Sequence, residues 1–344
     1  MPELKTDLYI DSMSGGNGDI WMRLAGFYSA SSLVPGVNIH LLIPSFLRNL
    51  ARVAFGDRLH LSDQEGFPAR NLKYTALGIR DLLPGIVKGN RYISPYQRAV
   101  IHDKRKREVK DKLNIRLFDL CDYFGWVSVP AWRWITLYQG YLEIIGIKMF
   151  RQLSYDDFER QLKADYHSIF ARLNGSLPIS PELSIPQDFN DHIVIFPTGT
   201  GRQFVPVSWA EKHLPDAYYA FFHKDEEAAA YRDRGLKTIC FYKEPGDIIF
   251  LSQKARWTVS TDSFPSHLLQ YSSRRCTITI TEVLKSRIIS PVFEGKVVNS
   301  EVACHPCLHL DRKNHPRCMA GFEECQNWHH PKYTANLLNS IPRS

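Results

Sequence analysis

Apolar and polar positions along this chain follow two rhythms that alternate in blocks. Short β-branched or apolar runs read as buried strands; each breaks into Gly, Ser, Thr or Pro and is followed by apolar residues at helical spacing. The first run, Thr6-Asp7-Leu8-Tyr9-Ile10-Asp11, leads through a Gly-rich loop over 12–18 into a helix whose face carries Ile20, Leu24, Phe27 and Tyr28. Val37-Asn38-Ile39-His40-Leu41-Leu42-Ile43 is the next expected strand, 44–54 the next helix, and Arg58-Leu59-His60-Leu61 the third strand. A βαβαβ order predicts a parallel, doubly wound sheet.

The alternation fades between residues 70 and 150, where Tyr92, Tyr96, Phe124, Trp126, Trp132, Trp134 and Tyr138 read first as core or helix packing. It returns with a helix over 155–172, whose apolar face is Phe158, Leu162, Tyr166 and Ile169. The Pro- and Ser-rich stretch 175–186 is the best linker in the chain. Beyond it, strands expected at 191–196, 217–222, 237–241, 257–260 and 276–280 alternate with helices, the first of them opened at Ser208-Trp209-Ala210-Glu211, which has the form of a capping box. The pattern therefore predicts two Rossmann-like domains, 1–186 and 187–344.

Composition narrows the class without choosing a function. A chain of 344 residues exceeds one ordinary core, and 44% apolar with 23% charged residues is that of a soluble globular protein. No apolar run reaches the length of a membrane span, and Met1-Pro2-Glu3-Leu4-Lys5-Thr6-Asp7 lacks the pattern of a signal peptide, so a cytoplasmic location is expected. The formal charge of +7 favours anionic partners: sugar nucleotides, an anionic membrane surface, or, less favoured, nucleic acid. The densest basic run, 102–112, reads as a solvated helix face or as a patch for such a surface.

The candidate chemistry lies where strands end. Phe196-Pro197-Thr198-Gly199-Thr200-Gly201-Arg202 and Thr261-Asp262-Ser263-Phe264-Pro265-Ser266-His267 each follow a buried run and precede a helix, which is where hydroxyls and free backbone amides can hold a phosphate. The first loop of the chain is no Walker A sequence, since no Lys-Ser/Thr follows its glycines, and Trp21 stands where a dinucleotide fingerprint needs a third Gly. Asp19 has a sufficient structural reason as a helix cap, as do Asp262-Ser263; His267 could be a core histidine. Their joint appearance at equivalent loops of two domains favours function. Ligands of open α/β sheets bind outside the carboxyl ends of the strands, so a cleft between two facing sheets is the expected site.

These residues resemble a known family. Gly18-Asp19-Ile20, Phe196-Pro197-Thr198-Gly199-Thr200 and Val259-Ser260-Thr261-Asp262-Ser263-Phe264-Pro265-Ser266-His267-Leu268 are similar to the motifs of the heptosyltransferase-like glycosyltransferases (family 9) of GT-B fold. The second-domain signature there is Ser-x-Asp-Ser/Thr-Gly-Pro-x-His-Leu, matched at Asp262, Ser263, Pro265, His267 and Leu268, with Phe264 in place of Gly and Arg202-Gln203 where many relatives carry Lys. The resemblance implies two Rossmann-like domains facing across a cleft and an inverting transfer of sugar from a nucleotide-diphosphate donor to the hydroxyl of a glycan, glycolipid or other acceptor. No catalytic metal is implied, and the setting would be bacterial surface glycan or lipopolysaccharide assembly at the inner face of the membrane. Asp19 would be the general base. Thr198, Gly199, Thr200, Arg202, Asp262, Ser263 and His267 would hold the donor diphosphate, and Glu226 or Glu227 would meet the ribose. The alternatives are a protein that has lost transfer and acts as a binding or scaffold subunit, and a transferase that modifies nucleic acid.

Four cysteines, Cys304, Cys307, Cys318 and Cys325, form a C-x2-C-x10-C-x6-C arrangement in segment 304–325. The spacing suits a structural zinc or iron; two disulfides or free thiols are the other readings, and His305, His309 or His315 could replace one ligand. Cys121, Cys240 and Cys276 lie in apolar surroundings and read as packing residues.

Overall fold

The computed structural model describes residues 6–11, 17–33, 37–63, 91–93, 155–175, 177–199, 204–281, 285–302, 305 and 324–342. The chain divides into two compact units, Met1–Arg172 and Leu173–Ser344. The division falls before the Pro- and Ser-rich stretch rather than after it. The reason is local: within the second unit Asn174 Nδ2 donates to the Ser272 carbonyl at 3.1 Å, Gln253 Nε2 donates to Asn174 Oδ1 at 2.9 Å, and the Ser180 amide donates to the buried Asp247 carboxylate at 2.7 Å. Prolines remove amides from this stretch, but the Ser180 amide is bonded to the second unit.

In the first unit, β1 (Thr6–Asp11), α1 (Asn17–Leu33), β2 (Val37–Leu42), α2 (Ser45–Phe55), β3 (His60–Ser62) and β4 (Arg91–Ile93) build a four-stranded sheet of order β3-β2-β1-β4. All its pairings are parallel, with Leu8 opposite both Ile39 and Arg91. The core is laid down by the apolar faces foreseen from spacing: Ile20, Leu24, Phe27 and Tyr28 of α1 are at most 1% exposed, and Trp21 packs its ring 5.0 Å from that of Phe55. The long helix α3 (Tyr155–Leu173) closes the unit. Its Arg172 donates to both carboxylate oxygens of Asp57 (2.7 and 2.9 Å), to the Tyr28 hydroxyl and to the Ala54 carbonyl. Burial alone would raise the Asp57 carboxyl, but the guanidinium bonds and charge hold it below its ordinary value.

The second unit holds β5 (Ile193–Phe196), α4 (Val207–His213), β6 (Tyr218–Phe222), α5 (Glu227–Asp233), β7 (Lys237–Phe241), α6 (Gly246–Lys254), β8 (Trp257–Thr261), α7 (Phe264–Leu269), β9 (Cys276–Thr279), α8 (Lys285–Ile288), β10 (Lys296–Val298) and α9 (Pro331–Ser340). Its six-stranded sheet has the order β10-β9-β8-β5-β6-β7, and every pairing is parallel. Numbered from β5, this is the 3-2-1-4-5-6 order of a Rossmann domain. One face buries Ile193, Ile195, Tyr219 and Val259 against Trp209, Tyr231, Trp328 and Tyr333. Each such aliphatic side chain withdrawn from water contributes about 1.5–3 kcal/mol. The Ser208 capping box is not formed: the helix opens one residue earlier behind Pro206, which places Ser208 inside the first turn and leaves the cap without a side-chain bond.

Among the described residues no helix is long and apolar enough to cross a membrane. Cys276 is fully buried and burial pushes its thiol up, as a packing role requires. Cys121, Thr200, Arg202, Cys304, Cys307, Cys318 and the basic run 102–112 lie outside the described residues, as does the side chain of Asp19.

Candidate functional site

The two loops singled out by sequence follow β5 and β8, and these two strands are neighbours in register from Ile193 opposite Trp257 to Phe196 opposite Ser260. Between β5 and β8 the strand order reverses direction: β6 and β7 lie to one side, β9 and β10 to the other. That is the topological switch point, where two consecutive crossovers leave on opposite sides and a crevice opens at the carboxyl ends. The first sheet repeats the arrangement. There β1 separates β2 from β4, and α1 begins at Asn17, so Asp19 falls in the first helical turn after the strand of reversal.

Hydroxyls join the two loops of the second unit. Thr261 Oγ1 donates to the carbonyls of Phe196 (3.5 Å) and Thr198 (3.4 Å), tying the end of β8 to the segment after β5. Ser263, in extended conformation at the N-cap of α7, donates its hydroxyl to the Thr261 carbonyl at 3.2 Å, and its amide is taken by Ser266 Oγ at 3.2 Å. That amide is therefore already satisfied, and α7 opens at Phe264. Phe264, the residue standing in place of the family's Gly, is half-buried at this rim.

Behind the rim, His267 Nε2 lies 3.2 Å from Asp262 Oδ1, with side chains 8% and 10% exposed. The other ring nitrogen of His267 is buried and has no partner among the described residues. A buried imidazole with one nitrogen engaged by a carboxylate and the other unmatched costs stability, and such costs concentrate at working sites.

Sequence reasoning missed Asp225. It sits just beyond β6, the strand beside β5, and accepts hydrogen bonds from Thr198 Oγ1 (3.2 Å) and the Phe222 amide (3.1 Å). Burial raises its carboxyl above the ordinary value, opposed by the Phe222 and Thr198 hydrogen bonds. Its neighbour Glu226, the residue expected to meet a ribose, is exposed at the N-cap of α5. The available signal was the register: Asp225 is the acid nearest the end of the second strand of this Rossmann unit, with Glu226 one position further along. Of the expected donor-binding residues, the structure gathers Thr198, Gly199, Asp262, Ser263 and His267 at one edge.

The second unit is thus a doubly wound α/β domain of Rossmann strand order with polar groups concentrated at its switch point. No family model matches the chain, and no curated protein matches it. Among solved structures it is similar to a glycosyl transferase family 9 protein from Veillonella parvula, at TM-score 0.47 and 12% identity over 87% of this chain and 88% of that one. An E. coli ADP-heptose lps heptosyltransferase II gives TM-score 0.40 and 12% identity over 97% of both chains. An E. coli heptosyltransferase solved with ADP gives 0.41 and 12% over 88% of this chain and 92% of that one. At scores of this size the fold rests on strand order and the functional reading on the residues themselves.

Among the described residues no group of three or more His, Cys, Asp or Glu side chains is placed to hold a metal ion. Of the cysteine cluster only Cys325 is described; its sulfur accepts a hydrogen bond from Asn327 Nδ2 at 3.5 Å, and Asn327 also binds the Glu301 amide at 2.8 Å.

Proposed function

We propose that this protein is a glycosyltransferase that moves a sugar from a nucleoside-diphosphate donor to an acceptor hydroxyl. The observation that carries the reading is the meeting, at one switch point, of the two loops whose sequences match the family motifs, with Thr198 bonded to Asp225 and Asp262 to His267. In this reading the segment from Thr198 through Arg202 and the Asp262–Ser263 turn hold the diphosphate, and Asp225, rather than Glu226, takes the ribose hydroxyls. An ionised carboxylate can accept two hydrogen bonds at once, which suits a vicinal diol. Asp19, in the first turn of α1, is the base for the acceptor hydroxyl: a carboxylate within hydrogen-bond reach gains the proton as the new bond forms, so its removal slows transfer without weakening donor binding. Inversion and independence from a catalytic metal follow from the family resemblance, as does an acceptor of glycan or glycolipid type at the inner face of a membrane.

The test is a panel of nucleoside-diphosphate sugars incubated with wild type and Asp19→Ala, reading free nucleoside diphosphate with and without acceptor extracts. Transfer or hydrolysis by wild type that falls to background in Asp19→Ala supports the reading; a wild type silent with every donor removes it. A second reading, a protein that binds a nucleotide but no longer transfers sugar, is favoured by Phe264 at the rim and by the engaged Ser263 amide. It predicts nucleotide affinity with no turnover.

A further inference from the structure

Resting on the reading that Asp19 takes the proton of an acceptor hydroxyl, the geometry points to Arg23 as the residue that positions it. Its guanidinium, one helical turn behind, holds one carboxylate oxygen of Asp19 and leaves the other for the substrate. Asp19 and Arg23 are the only charged residues of α1. Arg23 is 2% exposed, and every residue from Ile20 to Ala30 is buried, so the helix has no wet side along which the guanidinium could reach water. A charge so enclosed is heavily penalised unless hydrogen-bond acceptors meet it, and a carboxylate is the acceptor that also neutralises it.

Helix direction says where that acceptor lies. Side chains of an α-helix lean toward its N-terminus, so a long one covers the turn before its own Cα. For Arg23 that turn holds Asp19, four positions back, and Ile20, three back, which is apolar and 1% exposed. Positions four apart are neighbours on a helix surface, about 6 Å apart along the axis, and an acid on the N-terminal side of a base is the favourable order. The backbone there cannot substitute. Its unshared groups are N–H donors, and a guanidinium has only donors of its own. Within the first turn of α1, Asp19 alone supplies an acceptor of opposite charge.

The charged groups on the elements around α1 narrow the choice further. Asp57 is bonded to Arg172, Asp63 to Arg48 and Asp165 to Arg58, each with a guanidinium nitrogen within 2.8 Å. Asp7 at the start of β1 and Arg52 in the last turn of α2 belong to the opposite edge, and Tyr9 and His40 stand mid-strand and cannot neutralise a cation. Asp11, the last residue of β1, is the rival partner at the edge where α1 begins. The pairing suits the chemistry. As the acceptor oxygen bonds to the sugar and the diphosphate departs with the bonding pair, the hydroxyl proton passes to the free oxygen of Asp19, while Arg23 keeps its charge and moves no proton. The planar guanidinium fork fixes the plane of a carboxylate, whereas an ammonium lets it turn.

The test reads the pair separately from turnover. Carbon-13 NMR of the full chain, labelled at its aspartate carboxyls, follows Asp19 and Asp11, whose signals are those missing from Asp19→Asn and Asp11→Asn. Arg23→Met is expected to raise the titration midpoint of Asp19 by roughly 1–3 pH units. Should thermal melting show that this variant does not fold, Arg23→Lys, which keeps the charge without the fork, is read for a smaller movement in the same direction. In the donor panel the variant should lose kcat while its donor KM holds, and the acid limb of its pH profile should move up together with the Asp19 carboxyl; Arg23→Lys should recover part of the rate. An Asp19 midpoint that stays in place in the folded variant overturns the pairing. So does an Asp11 signal that moves in its stead, which would assign the guanidinium to β1. A wild type silent with every donor removes the proposed function, and the carboxyl titration still decides whether Arg23 holds Asp19.

Discussion

Replacing Gly246 by alanine tests how the stretch before β5 is fastened to the edge where the ligand is placed. A Cβ at this position would lie 2.1 Å from the Pro178 carbonyl oxygen and 3.2 Å from its carbon, distances no side-chain adjustment can relieve because the obstacle is backbone. Overpacking costs about 1–3 kcal/mol, and the upper end is expected here, because residue 178 is held two positions on by the bond from Ser180 to Asp247. For a domain of this size a loss of ~3 kcal/mol lowers the melting temperature by about 6–12 °C. Gly235 supplies the control. Its φ is +74° and nothing lies within 4 Å of an added Cβ, so Gly235→Ala meets only the left-handed backbone penalty of roughly 1–2 kcal/mol, and Gly235→Asn less than that. At position 246 asparagine should be no better than alanine. Circular dichroism melts of the four variants check this ordering: a Gly246→Ala protein that melts with wild type, or a Gly246→Asn milder than Gly235→Asn, would refute the contact argument.

Three further outcomes are expected, two from the structure and one from the spacing of the cysteines. Because burial raises Asp225, the folded state takes its proton more readily than the unfolded chain, so this group's contribution to stability grows as pH falls through its raised pKa, while nucleoside diphosphate affinity, which needs the carboxylate, weakens over the same range. Asp225→Asn should flatten both dependences, measured by melts and titrations between pH 4 and pH 7. Asp188 has the opposite sign: the Tyr218 hydroxyl first, then Lys237 and His192, hold its carboxyl down to about 2, so its contribution is complete above the usual carboxylate pKa and is lost as pH falls from there through about 2. Asp188→Asn should therefore melt below wild type at neutral pH and converge with it in strong acid; a gap that persists in acid would contradict the assignment. For the cysteine cluster, elemental analysis is expected to return about one zinc or iron per chain, lost in Cys307→Ser; a metal-free protein with titratable thiols would favour the free-cysteine reading.

Three strands of the first sheet and five of the second were legible from alternation, because strands buried on both faces, such as Ile193-Val194-Ile195-Phe196, read as continuous apolar runs between Gly- and Pro-bearing turns, whereas β4, Arg91–Ile93, lies where the alternation fades. What the pattern did not yield was short or tertiary in origin. The strand β10 is only three residues long, Lys296-Val297-Val298, too brief for a period to show. The helix α9 was readable in principle: Pro331 stands in its first turn, and Tyr333 and Leu337 recur at four-residue spacing, both buried. The linker was misleading for a physical reason. Prolines mark a segment that cannot continue a helix or strand, but they do not say whether its remaining amides are free, and here Asp247, far away in sequence, takes one of them. The same limit applied at the site. Thr198, Asp262 and His267 stand in a recognisable local order, whereas Asp225 reaches Thr198 only because β6 lies beside β5, a fact of topology rather than of neighbouring residues.

The central claim, that the switch point between β5 and β8 receives a nucleoside diphosphate, is tested most directly by hydrogen–deuterium exchange of the full chain with and without saturating nucleoside diphosphate. The account predicts that slowed exchange concentrates in peptides covering 196–199, 222–226, 241–243 and 261–266, the carboxyl edge of the second sheet. Protection confined instead to the opposite edge, around His192, Tyr218 and Lys237, or no protection by any nucleoside diphosphate, would contradict it.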